Sequence, residues 1–308
     1  MLAIFLKTLP FFALIGTGWL AGRLRLFSAE ATAALTNFVF YFALSAMLFG
    51  FAARLDLGAL FDLRFVLAYL AGSLAVWAVV FAVARSRGSG AAEAAMLAHT
   101  GMIGNTGFLG VPMLVVILGE VAIGPVLMVL TLDMLVFSTL ITLIIAAVRH
   151  GRIGPSTLRP VLRGIVANPM IVAMLAGLAW AGLDLPLPAP AAEFLSLLGA
   201  AATPGALFAI GASLALRPAR RVGPALALSG VKLVLHPLAV GLAALAFAVD
   251  PVAAGVMIAA AALPVAGNVY ILAHHFGIAE ERVSAAILIS TALSVATLPL
   301  VIHLIPKG

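Results

Sequence analysis

The chain has no cysteine, and only 9% of its 308 residues carry a charged side chain. Without cysteine there is no disulfide framework, no thiol nucleophile and no cysteine metal site. A soluble domain of this length needs about 25% charged residues to solvate its surface, so a water-exposed globule is excluded. Alternating ten-residue strands, the signature of an outer-membrane barrel, are missing as well. So are a phosphate-cradling P-loop, an HExxH helix and a nucleophile elbow, which leaves no support for an enzyme. What is present is apolar: 64% of the residues are hydrophobic, in runs of helical, membrane-crossing length. The fold class expected is an all-α integral membrane protein in a lipid bilayer. The net charge of +6 would suggest nucleic acid in a soluble protein, but here it marks loops, and no nucleic-acid partner is expected.

Hydropathy over a 19-residue window places about ten spans. They fall near 3–22, 32–51, 64–84, 93–118, 124–148, 164–183, 191–216, 223–249, 251–275 and 283–305. The first lacks a positive leader and reads as an uncleaved helix. Alternate loops separate by charge. One side holds Arg23, Arg25, Arg85, Arg87, Arg149, Arg152, Arg159, Arg163, Arg217, Arg220, Arg221 and Arg282; the other holds only Lys7, Arg54, Arg64 and Lys307. By the positive-inside rule the arginine-rich side is cytoplasmic and both termini face away from it. The longest polar loop is 149–163.

Two stretches answer each other across the midpoint, GMIGNTGFLGVP at 101–112 and AALPVAGNVY at 261–270. Each puts a Gly-Asn pair and a proline inside an apolar span. Asn105 and Asn268 are 163 residues apart, and adding 163 to each of the first five spans lands on one of the last five. Pro10 and Gly18 likewise answer Pro169 and Gly177 at an offset of 159. Five spans per half is an odd number, so the halves, 1–148 and 164–308, must insert upside down relative to each other. Interrupted spans at matching places in two such halves point to a transporter's binding site.

The candidate substrate-binding residues are therefore Gly104, Asn105, Thr106, Gly107, Pro112, Pro264, Gly267 and Asn268. Glycine permits a broken helix and close backbone approach, proline removes a helix hydrogen bond, and an exposed half-helix N-terminus suits a carboxylate. The plainer reading of Gly101, Gly104, Gly107 and Gly110, every third residue, is close helix packing. Asp133 and Lys232 fall near the middle of their spans, where a charge costs about 2.5–3.5 kcal/mol and needs a partner. They read as a structural salt bridge, or as a proton acceptor and an anion-guiding charge. His236, one turn from Lys232, either relays a proton or is a hydrogen-bonded core histidine; the same choice holds for His99. His274 and His275 diverge around a helix with no acid or cysteine at ligand spacing, so neither a metal nor any other cofactor is expected. Glu93, Glu120, Asp184, Glu193, Glu280 and Glu281 sit at span ends as solvated caps.

At these motifs the chain resembles the auxin efflux carrier family. GNTGFLGVP is similar to that family's fourth helix, and LPVAGNVYILAHHFGI with SAAILISTALSVATLPL to its ninth and tenth. ATPGALFAIGASL at 202–214 and KLVLHPL at 232–238 resemble its seventh and eighth. Ser45 stands where the family often has proline, and His274-His275 where it more often has arginine. The resemblance implies a five-plus-five inverted repeat in which helices 4 and 9 break and cross. Spans 1, 2, 6 and 7 would form a scaffold, also the surface of a possible homodimer, and spans 3–5 and 8–10 a transport domain. The function implied is elevator-type carriage of small organic anions, such as mono- or dicarboxylates or auxin-like acids, across the inner membrane. The alternatives are a sodium-coupled symporter of the bile-acid type, which the lack of an acid at either break disfavours, and a membrane sensor that binds an organic acid without moving it.

Overall fold

The computed structural model describes residues 2–55, 62–150, 163–216 and 222–305. Most of the polar loop at 149–163 lies outside these, as do Arg152, Arg159, Arg217, Arg220, Arg221 and Lys307 of the charge pattern. Both proposed halves, 1–148 and 164–308, include residues that are not described.

Every regular element among the described residues is helical. In chain order they are α1 (Leu2–Arg23), α2 (Ala29–Ala52), α3 (Leu63–Ser86), α4a (Ala91–Thr100), α4b (Thr106–Leu118), α5 (Glu120–Arg149), α6 (Pro169–Gly182), α7 (Ala189–Ala215), α8 (Val222–Ala246), α9a (Pro251–Ala261), α9b (Gly267–Phe276) and α10 (Glu280–Leu304). Seven of them are long and apolar enough to cross a membrane: α1, α2, α3, α5, α7, α8 and α10. The shorter apolar helices α4b, α6 and α9a lie where the sequence places spans four, six and nine. Two of those three are short because their spans are interrupted.

Local chemistry sets several boundaries. The carboxylate of Asp62 accepts the Arg64 N–H at 2.8 Å to start α3. Asn168 and Asp250 cap α6 and α9a in the same way, each followed by a proline that needs no partner for its missing N–H. Gly277, left-handed at φ 63°, ends α9b.

Glycines decide how closely helices approach, since apolar lipid gives helices no hydrophobic reason to associate. A Cβ on Gly18 or Gly211 would overlap the backbone of the facing helix, so α1 and α7 touch main chain to main chain. At Gly72 it would lie 2.7 Å from Val240 Cα, joining α3 to α8, and at Gly177 2.7 Å from the Phe49 carbonyl, joining α6 to α2.

Among the described residues four helices contain a wide π turn: Val39–Ala43 in α2, Thr106–Gly110 in α4b, Leu132–Phe137 in α5 and Val231–Leu235 in α8. Side-chain hydroxyls help to satisfy the loosened carbonyls. Ser45 donates to the Phe40 carbonyl at 3.1 Å and Ser138 to that of Asp133 at 3.0 Å. In α2, Ser45 thus supports the π turn. In α8, Pro237 has no N–H to offer the carbonyl one turn back. Such turns gather at functional sites, and here they carry Asp133 and Lys232.

Candidate functional site

The segments 101–105 and 262–266 leave helical geometry and lie against each other, antiparallel. Gly104 pairs with Val265, Asn105 N–H donates to the Pro264 carbonyl at 2.9 Å, and Ala266 N–H donates to that of Ile103 at 3.1 Å. Val265 N–H reaches Ser290 Oγ of α10 at 3.0 Å. Each break therefore meets part of the other's backbone need, which non-helical chain at membrane depth requires.

Four half-helix ends converge on this junction. α4b begins at Thr106 and α9b at Gly267, beyond opposite ends of the antiparallel pair, and no side chain caps either. Their free N–H groups carry partial positive charge. A Cβ on Gly267 would meet nothing within 4 Å, so this end opens on empty space. Asn268 beside it is half-buried, and its Oδ1 has no hydrogen-bond partner in the protein. Asn105 is 8% exposed.

The two mid-helix charges each bind a different half-helix end of this junction. The Lys232 ammonium donates to the carbonyl of Ala261, the last residue of α9a, and lies 3.2 Å from His236 Nδ1. A cation at a helix C-terminus is favoured by the dipole. Asp133 accepts from Tyr69 Oη at 2.8 Å and from the hydroxyl of Thr106, the first residue of α4b, at 3.2 Å. An anion at a helix N-terminus is favoured in the same way. His236 completes the arrangement with Nε2 2.9 Å from Ser73 Oγ and Nδ1 3.2 Å from the Ala261 carbonyl. Asp133 is 3% exposed and Lys232 and His236 are fully enclosed. Each charge takes its hydrogen bonds from other groups, not from its opposite. Ion pairs among the described residues include His274–Glu280 and Arg282–Glu93, both at 2.8 Å, at the ends of α9b, α10 and α4a.

The structure thus gathers Gly104, Asn105, Thr106, Pro264, Gly267, Asn268, Asp133, Lys232 and His236 around one junction. The glycines divide by role. A Cβ on Gly104 would sit 3.3 Å from Lys232 Nζ and 3.1 Å from the Ala260 carbonyl, whereas Gly107 faces Met170 Cε at 2.8 Å and Gly110 faces Leu263 Cδ1 at 2.5 Å. None of the three has a left-handed backbone; they serve close approach, not backbone freedom. The prolines differ too. Pro264 lies within its break and lends its carbonyl, while Pro112 is buried in the first turn after the π turn of α4b. His99 is 1% exposed with Nδ1 unpartnered, on α4a.

Sequence reasoning missed Tyr69, Ser73 and Ser290. The signal for two of them was present: adding 163 to Tyr69 and Ser73 gives Lys232 and His236.

The family model described as "Membrane transport protein" matches residues 3–302. The chain is also 36% identical over 304 residues to a protein of Rhizobium meliloti (strain 1021) named "Putative malonate transporter", an alignment covering 97% of this chain and 95% of that relative.

Proposed function

The chain belongs to the membrane transport protein family, the auxin efflux carriers, and from that premise we propose that it is a secondary carrier of small carboxylates working by alternating access. As a multi-pass membrane transporter it is not an enzyme. The observation that carries the substrate reading is the junction of the two breaks. Two uncapped helix N-termini, one open to empty space, and an unpartnered Asn268 oxygen surround it. A carboxylate docks there on N–H groups and on the amides of Asn105 and Asn268, without a dedicated buried cation. The name of the Rhizobium meliloti relative favours a short dicarboxylate, malonate.

The finer architecture belongs to the same reading: ten spans, five plus five, inverted, with spans four and nine crossing at their breaks. Its support is the 163-residue correspondence together with close packing of α1 on α7, α2 on α6 and α3 on α8. In the elevator form, helices 1, 2, 6 and 7 stay still and pair two copies as a homodimer. Helices 3–5 and 8–10 slide with the anion. The protein sits in the inner membrane with both termini outside, as the arginine-rich loops require.

The test is uptake of radiolabelled malonate into proteoliposomes, with a panel of mono- and dicarboxylates as competitors. Saturable flux that falls at least tenfold in Asn105→Ala and Asn268→Ala supports the reading. Binding without flux would replace it with a sensor, and flux only in a sodium gradient with a sodium-coupled symporter.

A further inference from the structure

We infer that carriage of the anion is coupled to a proton, held on a buried chain of side chains joining the two breaks: Thr106, Asp133, Tyr69, Ser73, His236 and Lys232. This rests on the carrier reading above.

The chain begins and ends at broken helices. Thr106 opens α4b and gives its hydroxyl to Asp133 Oδ2 at 3.2 Å; Asp133 Oδ1 takes the Tyr69 hydroxyl at 2.8 Å. Tyr69 and Ser73 lie one turn apart on the same face of α3, and the Tyr69 ring also stands 6.1 Å from that of His236, centroid to centroid. Ser73 Oγ is 2.9 Å from His236 Nε2, His236 Nδ1 is 3.2 Å from Lys232 Nζ, and Lys232 ends on the Ala261 carbonyl that closes α9a. All six residues are at most 3% exposed. Every group in the series carries an exchangeable hydrogen or can accept one.

Two features separate a relay from a clamp. A buried ion pair that serves structure alone recovers its desolvation cost by direct contact. Here the carboxylate and the ammonium are held apart, each by groups able to pass a proton. A clamp between α3, α5 and α8 also needs no charge, since hydroxyl and amide pairs join membrane helices. Among the described residues of α3, α4a, α4b, α5 and α8, His99 on α4a is the other buried titratable side chain, and it stands outside the series. Arg64, Arg85, Glu93, Glu120 and Arg149 lie at the ends of theirs.

The charge balance is simple. Carboxylate plus ammonium sums to zero, and a proton taken from water by the Asp133 carboxylate leaves the series at +1. An anion settling at the half-helix ends adds negative charge to a low-dielectric interior, and the bound proton offsets one unit. Thr106 follows Asn105, so the carboxylate meets the anion site through a single hydroxyl. The proton leaves to water on the far side with the anion, and no bond in the anion forms or breaks.

The experiment uses the purified protein in proteoliposomes containing a fluorescent pH dye, with membrane potential clamped by potassium and valinomycin and labelled malonate as the probe at pH 7.5. The expected result is luminal acidification with uptake, and malonate accumulation rising about tenfold per imposed pH unit, the factor for one proton per anion. In Asp133→Asn, whatever flux remains carries no proton. Tyr69→Phe, which keeps the ring, shifts the pH of half-maximal uptake; Tyr41→Phe on the exposed face of α2 does not. Malonate flux without proton movement, or a proton-to-malonate ratio unchanged in Asp133→Asn, overturns the inference and spares the carrier. Absence of any malonate flux overturns both.

Discussion

Ser73 and His236 are 163 residues apart and their side chains touch, Oγ to Nε2 at 2.9 Å. The same offset separates Asn105 from Asn268, one at each of the two breaks, and Tyr69 from Lys232. At Ser73 and His236 two positions 163 residues apart thus meet, with different chemistry on each side. A hydroxyl and a phenol on α3 face an imidazole and an ammonium on α8.

Ser73→Ala removes the partner of a fully enclosed imidazole nitrogen. Hydrogen bonds between membrane helices average about 0.6 kcal/mol and reach about 1.7, and an enclosed unpaired nitrogen belongs at the upper end. Thermal unfolding in detergent should show a fall of a few degrees, with Ser73→Thr closer to the parent than Ser73→Ala.

Much of this was legible in the sequence, and the boundary has physical causes. Helix positions followed from hydropathy, because lipid demands long apolar runs, and the two breaks followed from Gly-Asn pairs that no continuous span tolerates. Asp133 and Lys232 stood out because charge in hydrocarbon is expensive. Tyr69 and Ser73 did not, since a tyrosine or serine in a span is ordinary and only the partner on another helix gives it meaning. The π turns were hidden for a similar reason: Ser45 and Ser138 mark them only once their carbonyl partners are known. Gly107 and Gly110 look like Gly104 in sequence, and only the neighbours Met170 and Leu263 distinguish packing from a place beside the lysine.

Gly104→Ala and Gly267→Ala should part company. At Gly104 the new methyl meets the Ala260 carbonyl at 3.1 Å, Lys232 Nζ at 3.3 Å and Leu263 Cβ at 3.4 Å. Overpacking of this kind costs about 1–3 kcal/mol, so both melting temperature and flux should drop. At Gly267 nothing lies within 4 Å. That variant should melt like the parent and instead raise the KM for the anion, its methyl standing at the open helix end. Melting curves beside concentration-dependent uptake separate the two outcomes.

Gly211→Ala tests the α1–α7 contact. The added carbon would overlap the Ile15 carbonyl and lie 2.7 Å from Trp19 N, both main-chain atoms that no rotamer change can move aside. The cost should exceed about 3 kcal/mol, the upper part of the usual overpacking range. Size-exclusion profiles in detergent should show aggregated or absent protein. Gly16→Ala on the same α1, with nothing within 4 Å of its Cβ, should remain monodisperse.

Asp133→Asn and Lys232→Met should be non-additive. Either alone leaves one enclosed charge without its counterpart, and breaking such a pair costs about 3–5 kcal/mol when it is wholly buried. Here each charge keeps local partners, Tyr69 and Thr106 for the carboxylate and Ala261 and His236 for the ammonium, so single losses should be nearer about 2 kcal/mol, between the cost of one buried hydrogen bond and that of a broken pair. The double variant removes both charges and should be at least as stable as either single one. Its melting temperature, read in a double-mutant cycle, gives a coupling energy of about 1 kcal/mol or more if the charges sense each other. Strict additivity would mean that they act independently at the two breaks. The double variant should fold yet fail to accumulate malonate against a gradient, because a series of side chains with neither charge has nothing left to exchange with the anion.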